Sequence, residues 1–403
     1  MDSTEQLQLI RDARGDPALL ALATVDLTFS DIPEGERADL RLALEAAAVP
    51  HWCDPAILAE LIDASSSLSS SQWERLKAVP VVESFPARGA DAGNVHEASR
   101  LAIRTHLART QQARFIELSV RAARMFETDT RPIGRIEWIY HLLLVNPEQG
   151  ADELEGLDRA WSHTAHHEDL AALSATLTEL DTSMLLHGRS LVRARLVMAE
   201  RRSELEGAAS LGDLANQLLQ RAKAIDDARL TADAYSLVGD VAEARGDLAA
   251  AERAYAQSLA ISERLAGLDP GNTSWQQDLA AAHSAVGDVA HARGDLAAAE
   301  RAYRQDLAIS ERLAGLDPAN TSWQRGLAAA HLAVGLVTQA RGDLASAEPA
   351  YAQSLAIYQR LAGLDPANTS WYRGRAVAHS AVSGLARSSA RDLRIKLLRR
   401  LRR

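Results

Sequence analysis

A block of 48 residues repeats along the C-terminal half of the chain, and it restricts the fold more than any other feature. GDLAAAERAY begins at Gly246 and again at Gly294, and GDLASAEPAY follows at Gly342; Trp275, Trp323 and Trp371 keep the same step, as do His283, His331 and His379. Units that recur at a fixed period bury their apolar faces against their neighbours, so they stack in one dimension rather than closing into a globule. Apolar residues within the unit fall at helical spacing. Arg293-Gly294-Asp295 supplies the turn between two helices, glycine taking left-handed backbone and aspartate capping the helix that follows. Asp317-Pro318 ends the second helix, because proline cannot continue it, and Asn320, Thr321 and Ser322 offer capping oxygens ahead of Trp323. Aromatic residues make up only 4% of the sequence, so alanine and leucine must fill a core of helix packed on helix.

The spacing inside the unit resembles the tetratricopeptide repeat. His283-x-x-Val286-Gly287-x-x-Ala290 stands where that family has Trp-x-x-Leu-Gly-x-x-Tyr, and Ala299-x-x-x-Tyr303 where it has Ala-x-x-x-Phe. Tyr235, Val238, Gly239, Ala251 and Tyr255 fill the same places one unit earlier. The family's unit has about 34 residues. Both helices are therefore expected to be some two turns longer here, an insertion that leaves each apolar stripe facing the same way. The resemblance implies an all-α, right-handed solenoid of helical hairpins. Gly287 and Ala299 are expected where helices approach closely, Tyr303 as the knob that fills the gap, and the repeated histidines at packing positions.

The units beginning at Gly246 and Gly294 differ at nine of 48 positions, among them Ser284 against Leu332, Asp288 against Leu336 and His291 against Gln339. In tetratricopeptide solenoids the corresponding positions of each first helix line a concave groove that takes a peptide or a partner helix. The resemblance thus implies a partner-binding groove formed by Ser236, Asp240 and Glu243, by Ser284, Asp288 and His291, and by Leu332, Leu336 and Gln339. Its charge runs from acidic at the N-terminal end to apolar at Leu332 and Leu336, and it lacks the Lys and Asn clamp for a C-terminal carboxylate. The expected partner is a protein or peptide in which basic residues lead into apolar ones. The array weakens toward its end: Pro349 falls inside a second helix, and Ser383 stands where Gly287 and Gly335 stood.

The first half is organised differently. LRLALEAAAVP, AILAELI and Ser71–Ala78 read as three helices, Val79–Val82 as a strand, and Asn94-Val95 as its partner across a glycine-containing turn, which together describe a winged helix. VPVVESFPARGADAGNVHEASRLAIRTHLA resembles the winged-helix segment of the STAND-type signal-transduction ATPases, which join a nucleotide switch to a repeat sensor, and Val95-His96-Glu97 occupies the place of their Met-His-Asp motif. RIEWIYHLLLVNPEQGADELE, from Arg135, resembles the helical region that follows. The resemblance implies a nucleotide-sensing role for His96. The sequence has no G-x-x-x-x-G-K-[ST] loop to cradle phosphates, so the residues themselves place His96 at a helix start or in packing. Further helices are expected at Phe115–Phe126, Ile133–Val145, Leu170–Leu180, Val192–Leu205 and Leu211–Ala224. These readings divide the chain into a winged-helix-like domain (1–110), degenerate hairpins (111–226), the solenoid (227–390) and a basic end (391–403).

A net charge of -10 opposes general attraction to nucleic acid or anionic membrane, although RDLRIKLLRRLRR at the end is basic and amphipathic, suited to capping the array or to meeting anionic lipid. The lone cysteine, Cys53, fits a reducing compartment, and the charged first residues lack the apolar core of a signal peptide, so a cytoplasmic location is expected. His163, His166, His167 and Glu168 lie together without an evident third metal ligand, and no metal is expected. Neither a nucleophile elbow nor a phosphate loop stands out, so the chain reads as a non-enzymatic interaction or sensor module that needs no cofactor. The alternative is a transcriptional regulator that binds DNA through SQWERLKA and an effector through the repeats.

Overall fold

The computed structural model describes residues 3–63, 66–162, 167–366 and 368–401, helical nearly throughout with one two-stranded sheet. Two compact units divide the chain: Met1–Leu154 with Ala171–Ala194, and Glu155–Leu170 with Arg195–Arg403.

The first unit opens with α1 (Ser3–Asp12) and α2 (Pro17–Thr28), followed by α3 (Glu34–Ala47), α4 (Pro55–Ile62), α5 (Ser66–Leu76), β1 (Val82–Ser84) and β2 (Gly93–Val95). This is the expected order of three helices and an antiparallel wing, with Val82 opposite Val95 and Ser84 opposite Gly93. The strand starts at Val82 and not at Val79, because Pro80 has no N–H to give to a ladder. Gly93 also exchanges backbone hydrogen bonds with Cys53, at 2.8 and 2.9 Å. A β-carbon on Gly93 would lie 2.9 Å from the Trp73 ring and 2.7 Å from the Glu83 carbonyl oxygen, so only glycine lets the wing approach α5 this closely. Cys53 is buried and free, and burial pushes its thiol well above the ordinary range, which makes it a packing residue rather than a nucleophile.

Helices α6 (Glu97–Thr110), α7 (Gln112–Phe126), α8 (Pro132–Val145), α9 (Pro147–Trp161), α10 (His167–Thr182), α11 (Gly188–Glu206) and α12 (Gly212–Ala224) continue the chain. Of these α9 continues the stretch from Arg135 that resembles a helical region, although the expected helices include no separate one over it. Pro147 occupies the first turn, where its missing N–H costs nothing, and Gly150 meets the α8 backbone so closely that a β-carbon would lie 2.8 Å from Leu143 Cα.

The repeats fold as α13 (Ala228–Ala244), α14 (Leu248–Leu268), α15 (Thr273–Ala292), α16 (Leu296–Leu316), α17 (Thr321–Ala340), α18 (Leu344–Leu364) and α19 (Thr369–Leu401). First helices α15 and α17 have 20 residues and second helices α14, α16 and α18 have 21, the lengthening the period demands. Gly246, Gly294 and Gly342 turn the chain at φ of 78°, 80° and 86°. The aspartates after them accept from the backbone three residues on, and Asn272, Asn320 and Asn368 each accept from the N–H of the tryptophan that follows, at 3.1 Å.

Each core cluster joins one hairpin to the next helix. Ala299 and Tyr303 of α16 meet Val334 and Val337 of α17, and Ala251 and Tyr255 of α14 meet Val289 of α15. Gly287, as expected, lies under Tyr303: a β-carbon there would stand 2.5 Å from the ring, and Gly239 and Gly335 make the same approach to Tyr255 and Tyr351. His283 and His331 are half-buried at their packing positions, with burial lowering their pKa, whereas His379 is exposed.

At positions 390 and 391, where earlier units have the turn Gly and the capping Asp, the sequence has Ala and Arg, and α19 runs on unbroken. The side chains of the basic end, and those of His163, His166 and His167, lie outside the described residues. Pro349 sits within α18, where it removes a backbone hydrogen bond. Pro349→Arg, the residue at the matching positions 253 and 301, is expected to stabilise the array by about 1–3 kcal/mol. Chemical denaturation measures this, and an unchanged midpoint would count against it.

Candidate protein-interaction groove

Three second-helix tyrosines carry the geometry of the second unit. With its ring packed on a first-helix glycine, each hydroxyl emerges on the face formed by α13, α15 and α17 and donates to a side chain there. Tyr255 donates to Asp240 at 2.7 Å and to Glu243 at 2.9 Å, Tyr303 to Asp288 at 2.7 Å, and Tyr351 to Gln339 at 2.6 Å. Burial raises the pKa of Asp240 and Asp288 against the opposing pull of these hydroxyls. Burial and the adjacent carboxylates push both Tyr255 and Tyr303 far above the ordinary phenol range, so these hydroxyls remain donors.

Asp240, Glu243, Ser284 and Asp288 line one cavity of about 550 Å³, so four of the expected groove residues come together. Ser236 shares a hydrogen bond of 2.9 Å with Ser258. His291 is exposed, Leu336 is 45% exposed, and Leu332 packs at the edge of the cluster around Tyr351, so the apolar end of the expected groove holds one open leucine and one largely committed to the core.

The cavity has a second wall beyond the residues expected for the groove. Asp306 reaches it from α16, Asp278 from α15, Trp323 and Arg325 from α17, and Arg159 from the end of α9. Arg159 donates to Asp278 at 2.7 Å, and Arg229 approaches the same carboxylate at 2.8 Å. Asp306 differs from the Ser258 and Ser354 of its neighbours, a difference visible in the repeat alignment but carried on a second helix.

The first unit contains a charged network that local sequence patterns do not announce. Arg100 and Arg104 of α6 and Tyr140 of α8 all donate to Glu179 of α10, and His51 bridges Glu179 at 3.4 Å and Glu137 of α8 at 2.8 Å. Arg104 is 1% exposed and Glu137 fully buried. Burial alone would raise the pKa of Glu179, but His51 and the two arginines hold it well below the carboxylate range; for Glu137, His51 and His141 do the same. A cavity of about 510 Å³ opens over His51, Glu137 and Glu179, walled by Trp52 and Phe85. His96 does not line it: exposed, it begins α6 with its backbone N–H donating to Val81 at 2.7 Å.

On α5, Arg75 pairs with Glu36 at 2.8 Å, and just beyond its end Lys77 pairs with Glu74 at 2.6 Å, so both cations have acidic partners within the chain. Among the described residues no cluster of His, Cys, Asp or Glu is arranged to hold a metal ion, and no helix is long and apolar enough to cross a membrane.

Residues 231–271 and 328–368 match the tetratricopeptide repeat family, and this part of the chain is a tetratricopeptide-type solenoid with lengthened units. No curated protein matches the chain. Among solved structures it is similar to a Signal Transduction ATPase with Numerous Domains (STAND) protein with a tetratricopeptide repeat sensor from Pyrococcus horikoshii, at 14% identity and a TM-score of 0.54, over 99% of this chain. The chain spans 58% of that protein's length, and at this identity the likeness is one of fold. A Rap protein complexed with Competence and Sporulation Factor is also similar, at 16% identity and a TM-score of 0.37, over 95% of this chain and 97% of that one.

Proposed function

We propose that this tetratricopeptide-type solenoid is a protein-interaction module, and that a partner's extended segment, basic leading into apolar, lies along the face of α13, α15 and α17. The observation that carries the reading is the cavity where Asp240, Glu243, Ser284 and Asp288, from two consecutive first helices, converge on the hydroxyls of Tyr255 and Tyr303. Carboxylates fixed in a concave wall focus negative potential and favour cationic segments. The fold shared with a STAND protein that has a tetratricopeptide repeat sensor supports placing the module as the sensor part of such a switch. The paired cations Arg75 and Lys77 give no support to a DNA-binding role.

Selection from a displayed peptide library tests this. Basic-apolar peptides are expected to be enriched, and reversing Asp240, Glu243 and Asp288 to lysine should slow their association and change its salt dependence while leaving helicity unchanged. Enrichment of acidic peptides, or binding indifferent to the triple reversal, would refute the groove.

A further inference from the structure

We propose that Asp306 is the cation-recognition residue of the groove: the guanidinium or ammonium of one basic side chain on the partner segment enters the cavity beside Asp288 and Tyr303 and pairs with the Asp306 carboxylate. This rests on the groove reading above and adds to it the position of the charge and a proton linked to its binding.

Asp306 is 7% exposed and lies in the cavity wall, yet among the described residues it pairs with no cation. Ser310 donates to it at 2.9 Å, and the Ser284 hydroxyl bonds to it from α15. Neutral donors of this kind satisfy oxygen atoms without supplying opposite charge. Asp278, in the same cavity, is held by both Arg159 and Arg229. The contrast is informative, because a buried carboxylate without a counter-ion either takes up a proton or awaits a cation. A purely structural role is also hard to assign, since the neighbouring units pack serine at the same position, Ser258 and Ser354, both buried.

The surroundings define how Asp306 titrates. From its own helix it faces Tyr303 and Ser310, from α15 Ser284 and Asp288, and Arg325 of α17 enters the same cavity, while Glu243 of α13 acts on Asp288 and Tyr303. Burial, reinforced by Asp288 and opposed by the two serines, raises its pKa to about 7. The empty groove near that pH is therefore partly protonated. Pairing with a cation requires the carboxylate, so the proton leaves as the partner enters, and affinity rises as pH increases through this range.

Calorimetry on the full chain tests the proposal, with a capped pentapeptide probe that carries one arginine followed by two leucines and a counterpart with neutral citrulline in place of arginine. The arginine peptide is expected to bind roughly tenfold more tightly, and titrations in buffers of different ionisation enthalpy to register release of a fraction of a proton near neutral pH. Asp306→Ser, the residue of the neighbouring units, and Asp306→Asn should each remove both the preference and the proton release, with circular dichroism unchanged. If wild type binds the arginine peptide without releasing a proton, or Asp306→Ser retains the preference, the role of Asp306 is overturned and the groove reading stands. If neither peptide binds wild type, both fall together.

Discussion

Glu179→Ala is expected to destabilise the first unit by about 3–5 kcal/mol, the range for removing one partner from a buried charge network. The carboxylate receives Arg100, Arg104, Tyr140 and His51, and its loss leaves two arginines buried at 4% and 1% exposure without the anion to which both donate. Burial lowers the pKa of Arg104 to about 9, so at neutral pH its guanidinium carries its charge into the site where the anion is lost. Glu179→Gln keeps an acceptor for Tyr140 but removes the charge, and should lie between wild type and alanine. Hydrogen exchange at the amides of α6, α8 and α10, followed through denaturant unfolding, reports on this unit. A loss under about 1 kcal/mol would mean that the network is no more than a surface-type pairing.

Tyr303→Ala should cost the solenoid about 3–5 kcal/mol, because a buried aromatic ring is deleted from the joint between two hairpins. Gly287→Ala should cost about 1–3 kcal/mol for the opposite reason, since its new methyl would press on the same ring. The double variant is the decisive measurement. With the ring gone, the added methyl has nothing to strike and fills part of the space left behind, so the pair should cost clearly less than the sum of the singles. Additive losses would show that glycine and tyrosine are not packed against each other as described.

Much of the solenoid was legible because repetition turns a weak local signal into a strong one. Gly294, Asp295, Asn320 and Tyr303 each recur with the period, and each does in the fold what its chemistry suggests: turn, cap, cap and knob. The acidic residues proposed for the groove come from comparing first helices; Asp306, which lines the same cavity, is also one of the nine differences but lies on a second helix, outside that comparison. The Glu179 network was not legible at all. Its members come from the loop before α4 and from α6, α8 and α10, with up to 128 residues between His51 and Glu179, and no spacing rule connects them. Buried charges declare themselves only once the helices that carry them are packed.

The 48-residue period also has a mechanical meaning. Because the apolar clusters described join each hairpin to its neighbours, a pull along the axis loads those joints largely in series. Such an array yields one link at a time, and each link that gives way lets out a segment of 48 residues, a length of roughly 160 Å when drawn out fully. The near-identity of the units makes those increments uniform, so the solenoid is a spring with equal steps.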